Sequence, residues 1–154
     1  MSMNCEQMKF VENSRITMMS LRKEYFEQIL KGEKTFEYRK KYYDEKSVAY
    51  IYVSKTQKEI VGKVWFGKPI IDDSEKIAQI AEKDQPGSYN NIKEYLGKNR
   101  GYAIPIEKVE LVKKISLKEI KEVFADFVPP QSYYYLDNKK QLLDFLIERT
   151  STNE

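Results

Sequence analysis

The chain contains no histidine and a single cysteine, Cys5, in 154 residues. These absences exclude a disulfide within the chain, zinc sites of Cys/His type, Ser-His-Asp and Cys-His catalysis, and imidazole acid/base chemistry. Cys5 lies in a segment without periodicity, where it reads as incidental rather than reactive. No apolar run approaches the roughly 18 residues of a membrane span. The opening MSMNCEQMKF also lacks the apolar centre of a signal peptide, so the expected compartment is the cytoplasm. The phosphate-loop pattern G-x-x-x-x-G-K-[ST] is missing, and so is a glycine-rich dinucleotide turn. DDSEK, residues 72–76, reads as a helix start with carboxylates placed favourably for the dipole, not as a metal loop. Neither a cofactor nor a metal is expected.

What is present is globular in character. Hydrophobic residues make up 41% and charged ones 33%, too apolar for a disordered chain. The length suits one core. The expected organisation is a flexible lead-in over residues 1–14, a single domain over 15–149 and a flexible tail over 150–154. A net charge of +3 permits a polyanionic partner without demanding one, so any basic surface must be local.

RITMMSL has strand character, and Ser20 is positioned to cap a following helix in which Tyr25 and Ile29, and Phe26 and Leu30, are spaced at i and i+4. Gly32 stops that helix. From Lys34 the period becomes two, with Phe36, Tyr38, Lys40 and Tyr42 on one face and Thr35, Glu37, Arg39 and Lys41 on the other. SVAYIYVS and EIVGKVWFGKPII, separated by KTQK, predict a hairpin, and Gly62 predicts a bulge or bend. Two short helical patterns follow on either side of QPG, with Ser74 and Ser88 as candidate N-caps, as an insertion between strands. In GYAIPIEKVELVKKI, Pro105 predicts an edge or a break. SLKEIKEVF carries a capping box, Ser116 with Glu119. VPPQSYYYLD must be extended because each proline restricts the residue before it. A last amphipathic helix begins after Asp137 and presents Leu142, Phe145 and Leu146. Short strands with attached helices predict a small β-barrel in an α+β protein rather than a parallel sheet.

GEKTFEYRK is where chemistry concentrates. On a strand, Glu37 and Arg39 project from one face roughly 7 Å apart, close enough to line one cleft. Lys34 and Arg39 could hold an anion, with Glu37 orienting one of them or accepting a base N–H. A solvated face, or a pair that locks the barrel, would use the same residues. From Lys34 to Tyr43 four cations meet one carboxylate, a local charge equal to that of the whole chain.

The form G-x-K-x-x-E-x-R, carried by Gly32, Lys34, Glu37 and Arg39, resembles the signature of the ASCH superfamily of small PUA-like β-barrels implicated in RNA binding. The preceding MMSLRKEYFEQIL is similar to the strand and helix that lead into it there. PPQSYYYL, from Pro129, is similar to a segment of a bacterial, archaeal and phage branch of PUA-like regulators. The resemblance spans residues 16–136 and implies a PUA-like barrel of about five or six strands with flanking helices and a helical insertion. It further implies a cleft beside the barrel faced by Lys34, Glu37 and Arg39. Some relatives are amidohydrolases that deacylate a modified cytidine, using a threonine where this chain has Glu37, a lysine at the Lys34 position and a distant glutamate. Thr35 is a poor substitute for that threonine.

Tyrosine is abundant, 12 in all, interleaved with cations in YRKKYYD, AYIYVSK and QSYYYLD. Such surfaces stack bases and hold phosphates, and tyrosine is also a good strand residue that fills cores. The binding candidates are therefore Ser20, Lys34, Glu37, Tyr38, Arg39, Lys40, Ser54, Lys55, Gln131, Ser132 and Tyr133. Ser20 would bring a helix N-terminus suited to phosphate. The expected function is binding of nucleic acid, RNA or a modified nucleotide, without a membrane or structural metal. One alternative is a hydrolase of modified nucleoside or RNA with Lys34 and Glu37 as its acid/base pair. The other is a protein-interaction module using residues 72–98 or the terminal helix.

Overall fold

The computed structural model describes residues 15–151. The expected lead-in, Cys5 and residues 152–154 lie outside them.

Seven strands and five helices are formed by the described residues. RITMMSL becomes β1 (Arg15–Leu21), whose inward positions are buried. It runs parallel to β3 (Ser47–Val53), from Arg15 opposite Ser47 to Leu21 opposite Val53. The helix α1 (Lys23–Leu30) and the short β2 (Phe36–Arg39) lie in that crossover. The expected hairpin is present, β3 with β4 (Glu59–Phe66), and its register slips between Ile51 and Tyr52. Against β6 (Gly101–Ser116) the ladder of β4 also slips between Ile60 and Gly62. Gly62 stands at that bulge for a steric reason: a Cβ there would lie 2.7 Å from Phe26 Cζ and 2.8 Å from the Glu110 carbonyl oxygen. The bare backbone lets α1 settle onto the sheet.

The strand order is β2-β6-β4-β3-β1-β7, with β7 (Tyr133–Tyr135) antiparallel to β1 and β5 (Ile70–Asp72) added on β6. The sheet curls into a half barrel within a mixed α+β fold. Pro105 does not end its strand. At Pro105 the sixteen-residue β6 changes partners: residues 101–105 pair with β2 and β5, and residues 106–116 pair with β4. A proline fits at such a handover because it donates no ladder hydrogen bond.

One sheet face, with Ile16, Met18, Tyr50 and Trp65, packs under α4 (Leu117–Val123) and α5 (Lys140–Thr150). The other, with Met19, Ile51, Val64 and Phe66, packs under Phe26 and Ile29 of α1. The pair that α1 buries is thus i, i+3, while Tyr25 and Leu30, expected to share those spacings, stay exposed. A smaller core of Tyr38, Ile77, Ala81, Leu96 and Ala103 joins β2 and β6 to α2 (Ser74–Asp84) and α3 (Tyr89–Leu96). The capping box of Ser116 and Glu119 forms both of its hydrogen bonds. Two caps expected in the helical insertion do not form. Asp73, not Ser74, caps α2 by accepting from the Lys76 amide, and the Ser88 side chain makes no cap bond on α3. Thr150, expected in the tail, ends α5, is buried, and donates to the Leu146 carbonyl at 2.6 Å. No helix among the described residues is long and apolar enough to cross a membrane.

Candidate functional site

The site begins with the way α1 ends. Gly32, at φ +77°, and Glu33 donate their amides to the carbonyls of Ile29 and Gln28, a paired closure that glycine's left-handed freedom permits. The Lys34 amide also reaches Gln28 O, and Thr35 is fastened to Asp84 at the end of α2 through both its amide and its hydroxyl. Lys34 therefore lies in a turn before β2, free of strand alternation. Its ammonium comes within 3.5 Å of Glu37 Oε1 although the two positions have opposite parity.

Glu37 and Arg39 do share a face, and that face is not solvated. The Arg39 Nε donates to Glu37 Oε2 at 2.9 Å. The side chains of Lys34, Glu37 and Arg39 are only 8%, 9% and 11% exposed. Two further guanidinium nitrogens of Arg39 reach across the open side of the half barrel: Nη1 donates to Ser132 Oγ at 2.7 Å and Nη2 to the Ser20 carbonyl at 3.2 Å. β2 stands at one end of the strand order, β1 and the approach to β7 at the other. Arg39 thus joins the two ends of the curl by its side chain, while two of its five N–H donors stay available. Glu37 Oε1, by contrast, is buried and accepts no hydrogen bond.

These groups form the floor of a cavity of about 580 Å³. Its walls are Arg22, Tyr25 and Gln28 of α1 and its approach, the α2–α3 elbow at residues 85–88, and Asn91 with Tyr95 of α3. Gln85 Nε2 donates to Gln28 Oε1 at 3.1 Å, tying the elbow to α1. The Lys34 ammonium sits 4.8 Å from the centre of the Tyr38 ring. Burial, then the carboxylates of Asp84 and Glu37, hold the Tyr38 hydroxyl protonated far above its ordinary range. With two cations to one carboxylate, the floor favours an anion or a polar edge that brings both acceptors and an N–H.

Of the residues expected from sequence, Ser20, Lys34, Glu37, Tyr38 and Arg39 line the cavity, and Ser132 adjoins it through Arg39. Ser20 is not a helix cap. β1 runs on to Leu21 because the Ser20 amide bonds Ser132 O, and the Ser20 hydroxyl donates to Pro130 O at 2.6 Å. Lys40 is exposed, its ammonium 5.2 Å from the Tyr95 ring centre. Ser54 and Lys55 occupy the β3–β4 turn, where the Ser54 amide bonds Leu21 O, and neither lines the cavity. Gln131 is exposed next to Ser132. Tyr133 packs at 4.7 Å on Tyr42, and burial first, then Tyr135, pushes its hydroxyl up to about 12. Tyr25, Gln28 and Tyr95 were not foreseen. The QPG break between two short helices is the sequence signal for the elbow that brings α3 over the motif. Among the described residues no group of carboxylate, cysteine or histidine ligands could hold a metal ion.

The model of the ASCH domain matches residues 19–126. Among solved structures, the ASCH protein of Zymomonas mobilis superposes with a TM-score of 0.75 at 23% identity, covering 91% of this chain and 99% of that one. A single-residue serine-to-alanine variant of the same protein gives 0.75 at 22% identity, over 89% and 97%. A protein of Rhodopseudomonas palustris solved by NMR gives 0.50 at 15% identity, over 87% and 93%. At these identities the likeness concerns the fold. No curated protein matches the chain in sequence.

Proposed function

This chain belongs to the ASCH domain family, and we propose that it binds RNA or a modified nucleotide in the cavity floored by Lys34, Glu37 and Arg39. One observation carries the reading: a carboxylate and two cations sit almost fully buried, yet they face an open cavity. Burying ion pairs contributes little to stability once desolvation is counted, so such a cluster has value mainly where it meets a ligand. Lys34 and Arg39 contact phosphate or a base edge, and Glu37 accepts an N–H. We place the chain, further, in the branch of PUA-like regulators marked by the Pro-Pro-Gln-Ser segment. Support comes from Pro130 and Ser132, which bond Ser20 and Arg39 at the cavity's rim.

Fluorescence anisotropy of labelled single- and double-stranded RNA and DNA tests the reading, at two salt concentrations, with wild type, Arg39→Ala and the distant exposed Lys121→Ala. Binding should weaken with salt as counterions are released, and Arg39→Ala should lower the salt slope by about one per lost phosphate contact. Equal affinity of wild type and Arg39→Ala for every nucleic acid overturns it. The Lys34–Glu37 separation of 3.5 Å also favours a second reading, an acid/base pair in a nucleoside or RNA hydrolase. Product from acylated nucleosides or RNA, lost in Lys34→Met, would establish that one.

A further inference from the structure

Tyr25 and Tyr95 come from different helices and both line the cavity, yet they are 42% and 44% exposed. Other tyrosines are spent in cores: Tyr38, Tyr42, Tyr50 and Tyr52 are all 8% exposed or less. Two large rings kept at the wall of a polar cavity, unused by any core, are surfaces for another flat group. A lysine accompanies each, Lys34 at 5.8 Å from the centre of the Tyr25 ring and Lys40 at 5.2 Å from that of Tyr95. Aromatic faces beside cations are what a single strand needs, because the face takes the base and the cation its phosphate.

The floor adds a second requirement. Glu37 Oε2 is committed to Arg39, whereas Oε1, on a side chain 91% buried, accepts nothing. A carboxylate oxygen can only accept, and in a desolvated place an ion pair at 3.5 Å leaves it short of the hydrogen bond it would gain from a ligand. Its neighbour is a donor, the Lys34 ammonium. An acceptor beside a donor is the complement of a nucleobase's Watson–Crick edge, and in a duplex that edge is already taken. A volume of about 580 Å³ holds a single nucleotide and lies inside the roughly 300–1,000 Å³ range of small-molecule sites.

We infer that the cavity takes one unpaired base from a single strand, its faces against Tyr25 and Tyr95 and its Watson–Crick N–H donated to Glu37 Oε1. This deepens the proposed function and rests on it. Base pairing and cavity binding are then mutually exclusive, and a duplex is rejected for want of a free edge, not for want of phosphates.

The experiment uses short labelled oligouridine, the same strand annealed into a blunt duplex, and the same strand with 3-methyluridine, whose edge carries no N–H. Wild type should bind the single strand at least about tenfold more tightly than the duplex or the methylated strand, the scale of one stacked base or one buried hydrogen bond. Tyr25→Ala and Tyr95→Ala, at exposed positions that leave the cores intact, should each weaken the single strand by about tenfold. In Glu37→Gln the penalty for methylation should shrink, because the amide can turn its NH₂ toward the base. Equal binding of single strand, duplex and methylated strand overturns this inference while RNA binding itself stands. Unchanged affinity in both tyrosine variants overturns the stacking assignment. Failure of any strand to bind, at low salt, removes the proposed function and this inference with it.

Discussion

Arg39 performs two tasks with one guanidinium. It holds Glu37 at the cavity floor and it ties β2 to the Ser20 carbonyl and the Ser132 hydroxyl. A planar fork meets the three partners with three separate nitrogens, whereas a lysine offers all its donors from one nitrogen atom on a flexible stem. Arg39→Ala should therefore cost stability as well as ligand, toward the lower end of the roughly 3–5 kcal/mol seen when a buried ion pair loses one partner, since the cavity admits some water. Arg39→Lys should recover only part of it. Denaturant unfolding of the three proteins gives the answer: a loss below about 1 kcal/mol for Arg39→Ala would mean that the closing bonds contribute nothing. Ser132→Ala removes a single rim acceptor and should cost only about 1 kcal/mol in the same measurement.

At the scale of elements, the joints decide the outcome. Phe26 of α1 rests on Gly62 at the β4 bulge, so Gly62→Ala should force α1 off the sheet and destabilise by about 1–3 kcal/mol, visible as a lowered denaturation midpoint. The α2–α3 elbow has a pH-sensitive joint. Glu82 accepts from the amides of Gly87 and Tyr89, at 2.9 and 3.0 Å, and those bonds hold its carboxyl below its ordinary value of 4.5. A depressed carboxylate stabilises fully above that value and loses its contribution as pH falls through the lower folded one. Amide exchange at Gly87 and Tyr89 should thus quicken on acidification below about pH 4.5, and Glu82→Gln should remove the pH dependence. Exchange that ignores pH in wild type beyond the intrinsic chemical trend would refute the joint. Elements whose cause is local were legible in the sequence, as the Ser116–Glu119 capping box illustrates, and Gly62 marked its bulge although the neighbours that require a glycine, Phe26 and Glu110, are distant in sequence. Ser20 was misread as a cap because its partners, Pro130 and Ser132, arrive from the far end of the chain. No local pattern encodes that meeting.

For the whole molecule, the half barrel's curl is what turns a motif into the floor of a cavity. Glu37 and Arg39 were readable as a pair because they are neighbours on one strand, whereas the turn that brings Lys34 to Glu37 was not. The walls were not readable: Tyr25 and Tyr95 share the cavity only because β6 changes partners at Pro105 and carries β2, β5 and the helical insertion round against α1. That arrangement also divides the molecule unevenly. β1, β3 and β4 lie between two large cores, whereas β2, α2 and α3 share the small core of Tyr38, Ile77, Ala81, Leu96 and Ala103, β5 only pairs with β6, and this group reaches the rest mainly through β6, Arg39 and the Gln28–Gln85 bond. Free energy of opening follows buried apolar contact, so the second group should open first as a unit. Native-state hydrogen exchange should give β2 and α2 amides a lower opening free energy than those of β1, β3 and β4, and Arg39→Ala should lower it further in β2 while leaving β3 unchanged. Uniform protection across both groups would show that the sheet opens as one, and the cavity would then have a rigid wall where a yielding one is expected.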